Sequence, residues 1–175
     1  CNKKERIEEV TYDFLKDLKL YESDEKIPLL KELLVEISGK IPLVIEIKKH
    51  KNIGILENKL VDLLENYKGK YLIWSFEKNI LFWFKKNKPN FKRGLIFESN
   101  PKKFEKYNKT LFLYKYYKIK PDFISLDYKL LDSSIYDFCV KNSLDLITWT
   151  IRNKENFEKV KEKVDAVIFE SLFKL

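Results

Sequence analysis

The feature that most constrains the fold is an alternation of two periodicities over the last four-fifths of the chain. Short β-rich runs occupy Pro42–Lys48, Tyr71–Phe76, Arg93–Glu98, Asp122–Leu126, Leu144–Thr150 and Ala166–Glu170. Longer stretches between them carry apolar residues at helical spacing. In Ile55–Tyr67, the residues Leu56, Leu60, Leu63, Leu64 and Tyr67 fall on one side, with Glu57, Lys59, Asp62 and Glu65 largely on the other. Asn79–Lys86, Ser133–Lys141 and Asn153–Lys163 read the same way, and Pro28 and Gly39 bracket an earlier helix over Leu29–Ser38. Phe104–Lys120 mixes lysine with aromatics and suits either a covering helix or an irregular loop. Strand–helix–strand repetition predicts parallel strands joined by helical crossovers. The strand cores LVIEI, YLIW and AVIF are nearly continuous apolar runs, as expected under a cover of helices.

An open doubly wound sheet and a closed barrel both fit this pattern. The first strand favours the barrel. Side chains alternate along a strand, so Leu43, Ile45 and Ile47 share one face and Val44, Glu46 and Lys48 the other. In a barrel the first set meets the helices and the second lines the interior. That puts Glu46 and Lys48 at the C-terminal mouth, where barrel chemistry is found. No glycine-rich phosphate loop follows any strand, which weighs against a nucleotide-binding open sheet. The expected fold is α/β, a TIM-type (β/α) barrel forming one domain over residues 1–175.

Composition narrows the partners. With 45% hydrophobic residues the 175-residue chain can bury one sizeable core, and no window is apolar enough for a membrane span. The net charge of +8 is nearly all lysine, since Arg6, Arg93 and Arg152 are the only arginines. Lysine lacks the rigid fork that reads bases, so the excess reads as a solvated, anion-attracting surface and nucleic acid is not an expected partner. Cys1 and Cys139 make neither a disulfide framework nor a zinc set, and Cys139 reads as helix packing. His50, the one histidine, sits in KKHKN and is expected to be a turn residue facing water. Cys1-Asn2-Lys3-Lys4 could open a mature lipoprotein, but that needs a tether, and patterned sequence begins by Ile7. A chain cut from something longer, resident in the cytoplasm, is the expectation.

Six segments, in order, resemble the glycerophosphodiester phosphodiesterase family. IPLLKELLVEISGKIPLVIEIK (Ile27–Lys48) is similar to the family's Ile-Pro-x-Leu-x-Glu helix and the Glu-x-Lys strand that comes after it. IWSF (Ile73–Phe76) is similar to its Ser-Phe strand end, and KPNFKRGLIF (Lys88–Phe97) to its next strand. PDFISLDYKLL (Pro121–Leu131), ITWTIRN (Ile147–Asn153) and VDAVIFESL (Val164–Leu172) continue in family order. No one segment is specific; the ordered set is. The resemblance is closest to the short bacterial members. It implies a barrel that hydrolyses glycerophosphodiesters to an alcohol and glycerol 3-phosphate with a divalent metal, Mg²⁺ or Ca²⁺.

By the same resemblance Glu46 is a metal ligand and Lys48 contacts the substrate phosphate, while Ser75, Phe76 and Trp149 wall the glycerol end. The family's His-Arg-Gly, Glu-Asn-Thr, Glu-x-Asp and His-Asp segments do not occur here, and CNKKERIEEVTYDFL resembles the family's stretch just after His-Asp. The two histidines that the family reaction would use have no counterpart, so no residue is assigned as catalytic. Arg152 and Glu170 stand where the family often has Asn and Asp. The expected molecule is an incomplete barrel lacking its first strands and inactive alone. The alternative is a degenerate barrel that binds phosphorylated ligands or a partner chain.

Overall fold

The computed structural model describes residues 4–20 and 23–170. Cys1 and the last two residues of the Val164–Leu172 segment lie outside the described residues. Along the chain run α1 (Tyr12–Leu15), α2 (Leu30–Ile37), β1 (Leu43–Glu46), α3 (Ile55–Leu64), β2 (Tyr71–Ser75), α4 (Lys78–Asn87) and β3 (Arg93–Phe97). Then come α5 (Asn108–Ile119), β4 (Phe123–Asp127), α6 (Ser134–Lys141), β5 (Asp145–Ile151), α7 (Lys154–Val160) and β6 (Ala166–Phe169). The chain gathers into two compact units, one of Cys1–Leu43 with Asn58–Lys70 and one of Val44–Glu57 with Tyr71–Leu175.

In the first unit, Glu32 reaches back to accept the Leu29 backbone N–H at 2.8 Å, closing the start of α2. Ser38 and Gly39, at φ 48° and 76°, end the helix in the left-handed region. The Tyr67 hydroxyl accepts the Gly39 N–H at 3.1 Å.

The second unit holds almost all of a six-stranded sheet in the order β1-β2-β3-β4-β5-β6. β2 to β6 pair in parallel throughout. β1 is parallel to β2 as well, since Leu43 N donates to Lys70 O and Ile47 N to Trp74 O, four residues further along both strands. Strict chain order with right-handed crossovers carries every connection to the same side of a sheet. The packing agrees. Leu95, Phe97, Ile124, Leu126 and Leu146 on one face join Leu81 of α4, Phe112 and Ile119 of α5, Ile135 and Cys139 of α6, and Val160 of α7. The opposite face carries a separate cluster of Trp74, Ile96 and Phe123, flanked by Leu72, Phe76, Ile147, Trp149 and Ile168. A doubly wound sheet would have helices there. Among the described residues, six parallel strands whose second face packs only strand residues and Phe76 form an open half-barrel, two strands short of the eight that close a TIM barrel.

The ambiguous Phe104–Lys120 segment is a 3₁₀ turn at Lys102–Tyr107 followed by the covering helix α5. Phe112 and Ile119 are fully buried while Tyr114 and Tyr117 are exposed. A fully buried side chain of this size contributes about 1.5–3 kcal/mol by leaving water.

The reading of α3 is corrected. Glu57, Leu60, Val61 and Leu64 are its buried residues, whereas Leu56 and Leu63 are exposed. Positions 57, 60, 61 and 64 make an ordinary helical stripe, but a carboxylate occupies its first place. Glu57 Oε2 accepts the Gly54 N–H at 2.6 Å, which offsets part of the cost of burying the carboxylate.

The base of the sheet is pinned by two aspartates. Asp122 accepts Arg93 N–H at 3.0 Å and donates its own N–H to Arg93 O at 2.8 Å. Asp165 repeats the arrangement on Leu146, at 2.7 and 2.9 Å. On the helix-free face Gly94 leaves room for the Phe123 ring, whose Cε2 and Cζ would stand 2.2 Å from an added Cβ. Gly94→Ala is therefore expected to destabilise the protein by about 1–3 kcal/mol in urea unfolding, as overpacking does, and Phe123→Leu in the same chain to recover part of the loss.

Candidate active-site cleft

The C-terminal ends of β1, β2 and β3 open into a cleft of about 390 Å³ lined by Glu46, Lys48, Ser75, Phe76, Glu98 and Lys115, among others. That volume is in the range of small-molecule sites. Glu46 lines the cleft together with Phe76 and Ile96 of the helix-free face and with Phe97 and Lys115 from the helix-covered side. Lys48, two residues on, lies on the same side. Its Nζ stands 2.6 Å from Glu46 Oε1, with the lysine side chain 78% exposed and the glutamate 27%. The carboxylate thus sits at the rim against a cation that is free to swing into solvent.

Ser75 lines the cleft with its hydroxyl already committed. It donates to Ile47 O at 2.6 Å and accepts Glu77 N–H at 3.0 Å, and the residue is fully buried. Its chemistry here is to join the end of β2 to the end of β1. Phe76 meets Trp149 edge to face, with centroids 5.5 Å apart. Trp149 Nε1 donates to Ser125 O at 3.3 Å, which fixes the indole over β4. Phe76 lines the cleft, whereas Trp149 packs behind it and is not among the lining residues.

Glu98, Asn100 and Lys115 are among the cleft residues that the sequence reading does not single out. Glu98 was readable, since it follows Ile96 by two at the end of β3 and so shares its face. Lys115 was not, because it rides on α5. Its Nζ donates to Phe76 O at 3.1 Å. Burial holds the Lys115 ammonium below its ordinary value, against the opposing pull of Glu77 and Glu98. Asn100 donates to Asn108 Oδ1 at 2.6 Å, tying the loop to the start of α5.

The expectation that His50 faces water is overturned. Its side chain is only 13% exposed and its Nε2 lies 3.1 Å from Oε1 of the fully buried Glu57. Nδ1 is 3.0 Å from Lys48 O. The chain turns back at Gly54, at φ 108°, and Gly54 N–H donates to Glu57 Oε2 at 2.6 Å. That turn carries the first residues of α3 against the imidazole. Cys139 is buried, as the sequence indicates, and burial pushes its thiol up to about 12. Arg152 and Glu170, the two departures from the family pattern, pair with each other at 3.0 Å across β5 and β6.

Among the described residues no group of three or more His, Cys, Asp or Glu side chains is placed to hold a metal ion. Glu46 is a single carboxylate facing an ammonium. The described residues therefore do not by themselves fit a divalent cation. No helix among them is long and apolar enough to cross a membrane.

Parallel strands in chain order, helices on one face and a polar cleft at the strand C-termini define a (β/α)-barrel-type protein. No family model matches the chain. It is 31% identical over 153 residues to a glycerophosphodiester phosphodiesterase of Caldanaerobacter subterraneus, an alignment covering 82% of this chain and 58% of that protein. The chain is similar to this glycerophosphodiester phosphodiesterase over most of its own length, and spans a little over half the length of that curated relative. The crystal structure of a glycerophosphodiester phosphodiesterase from Parabacteroides distasonis superposes with a TM-score of 0.68 at 21% identity, covering 91% of this chain and 66% of that one. A phosphodiesterase of Oleispira antarctica, in complex with the product sn-glycerol 3-phosphate, gives 0.66 at 19% identity, covering 83% and 58%. These two likenesses carry the fold.

The double bond-making of Ser75 has a measurable consequence. Ser75→Ala strands a buried carbonyl and a turn N–H, so a loss of about 1–3 kcal/mol is expected in urea unfolding. Ser75→Thr, which keeps the hydroxyl, should lose less.

Proposed function

We propose that this chain supplies the substrate-contacting side of a glycerophosphodiester-hydrolysing site, within a barrel larger than the described half. The observation that carries the reading is the pair Glu46 and Lys48, both lining the cleft at the ends of the parallel strands. In this reading Lys48 engages the phosphate. Its exposed ammonium leaves Glu46 for a stronger anion and stabilises charge building on the phosphoryl oxygens. Phe76, backed by Trp149, forms an apolar wall for the glycerol carbons, and Ser75 keeps the ends of β1 and β2 in place. The bound sn-glycerol 3-phosphate of the Oleispira antarctica phosphodiesterase supports this class of ligand.

Glu46 is proposed as one ligand of a divalent cation in the complete barrel, the remaining ligands not being among the described residues. When bound, such a cation supplies Lewis acidity toward phosphoryl oxygens. Proton transfer is a separate requirement. The chain has one histidine, His50, and it is not among the residues that line the cleft, so the pair of acid–base groups must come from elsewhere. The 175-residue chain alone is therefore proposed not to turn over.

Titration of the ¹⁵N-labelled chain with sn-glycerol 3-phosphate tests the reading. Amide shifts are expected at residues 46–49 and 75–77, and Lys48→Ala is expected to weaken the interaction about tenfold, the worth of one exposed charge contact. Shifts confined to other surfaces, or none up to millimolar ligand, would overturn it. In a longer protein that hydrolyses glycerophosphocholine, Glu46→Gln should lower kcat by about a hundredfold or more.

A further inference from the structure

The lysine excess of this protein is not spread evenly. Lys102–Lys120, the 3₁₀ turn together with α5, carries seven lysines and one acid, Glu105, so about a tenth of the chain holds six of its eight net positive charges. Every lysine there except Lys115, which lines the cleft, is exposed. The reading of the cleft makes no use of these exposed charges.

Large aromatic side chains stand among them. Phe104, Tyr107, Tyr114 and Tyr117 are each 49–61% exposed. The backbone of Tyr107 is already helical, and Tyr107, Tyr114 and Lys118 recur at helical spacing, so the turn and α5 share one outward stripe. On its inner sides α5 packs between α4 and α6, which leave that stripe uncovered. The turn is fastened at its base. Asn100, on the cleft, donates its backbone N–H at 3.0 Å and its side-chain amide at 2.6 Å to Asn108 Oδ1. Residues 101–107 are therefore a closed excursion at the rim of the cleft.

The charge of this stripe calls for an array of anions. An anionic bilayer offers phosphates to the lysines and, beside them, an interfacial layer that favours rings with a polar edge. Single-stranded nucleic acid also attracts lysine, but it is gripped by stacking bases on open ring faces. Here an ammonium already lies over three of the rings: Lys103 over Phe104 at 5.5 Å, Lys106 over Tyr107 at 5.0 Å and Lys78 over Tyr114 at 4.5 Å. That pairing suits a headgroup layer, where the ring enters and the ammonium stays with the phosphates.

We propose that the 3₁₀ turn and the outward stripe of α5 dock on an anionic lipid bilayer and hold the mouth of the cleft beside it. The docking face does not depend on what the cleft binds.

Cosedimentation of the full chain with vesicles at about 0.1 M salt tests the proposal, using phosphatidylcholine alone and phosphatidylcholine with about 30% phosphatidylglycerol. The chain is expected to bind the anionic vesicles and not the neutral ones. Lys103→Glu with Lys106→Glu should weaken binding about tenfold or more, and Phe104→Ser with Tyr107→Ser, which leaves the charge unchanged, about tenfold. Lys31→Glu with Lys59→Glu makes the same charge change at exposed positions of α2 and α3 and should leave binding within about twofold. An equal loss from both lysine pairs would reduce the attraction to net charge and end the proposal, as would no binding by the wild-type chain. Displacement from the vesicles by a single-stranded oligonucleotide, at an equal concentration of phosphate groups, would overturn it in favour of nucleic acid. Titration with sn-glycerol 3-phosphate reads the cleft separately: a chain that binds anionic vesicles but not this ligand loses the reading of the cleft and keeps the docking face.

Discussion

The parallel register between neighbouring strands decides everything that happens at the mouth of this protein. Side chains alternate with a period of two, so slipping β1 by one residue against β2 would turn Glu46 and Lys48 to the helices and away from the cleft. The Ser75 hydroxyl guards against that slip. It joins the last residue of β2 to Ile47, just past β1, from a fully buried position where an unmade hydrogen bond is costly. Thr148 does the same further round the sheet, donating to Leu126 O at 2.8 Å. Two short hydroxyls thus lock pairs of adjacent strands near the end where the cleft opens.

The two faces of the sheet are held by different means. The helix-covered face is a continuous apolar core built from β3 to β6 and α4 to α7. The other face is aromatic, with Trp74 and Phe123 6.3 Å apart and Phe76 against Trp149. Gly94 is what lets that aromatic layer lie flat on β3. Phe76, at the edge of the aromatic layer, also lines the cleft, so the packing of that face runs on to its mouth.

Much of this architecture is legible in the amino-acid order. The six strands come from apolar runs between helical periods, and the alternation Val44, Glu46, Lys48 alone puts the acid and the amine on one side. The groups that escape such a reading are those that meet through turns. Glu57 looks like a solvated helix residue because its charge dominates the pattern; only the turn at Gly54 brings it to His50. His50 looks like one more polar residue in a lysine-rich loop for the same reason. Lys115 is hidden by a segment whose aromatics and lysines blur the helical period, and Ser75 gives no sign that its hydroxyl is spent on backbone. Arg152 and Glu170, departures from the family pattern when read singly, complement each other as a pair.

Asp122 and Asp165 sit at the far end of the strands from the cleft, each gripping the neighbouring strand through two backbone bonds. Register is therefore anchored by residues that take no part in lining the cleft. A lineage of such proteins can exchange residues around the opening, trying other acids, amines and aromatics, without loosening the frame that presents them. Tolerance at one pole of the sheet is what makes the opposite pole evolvable.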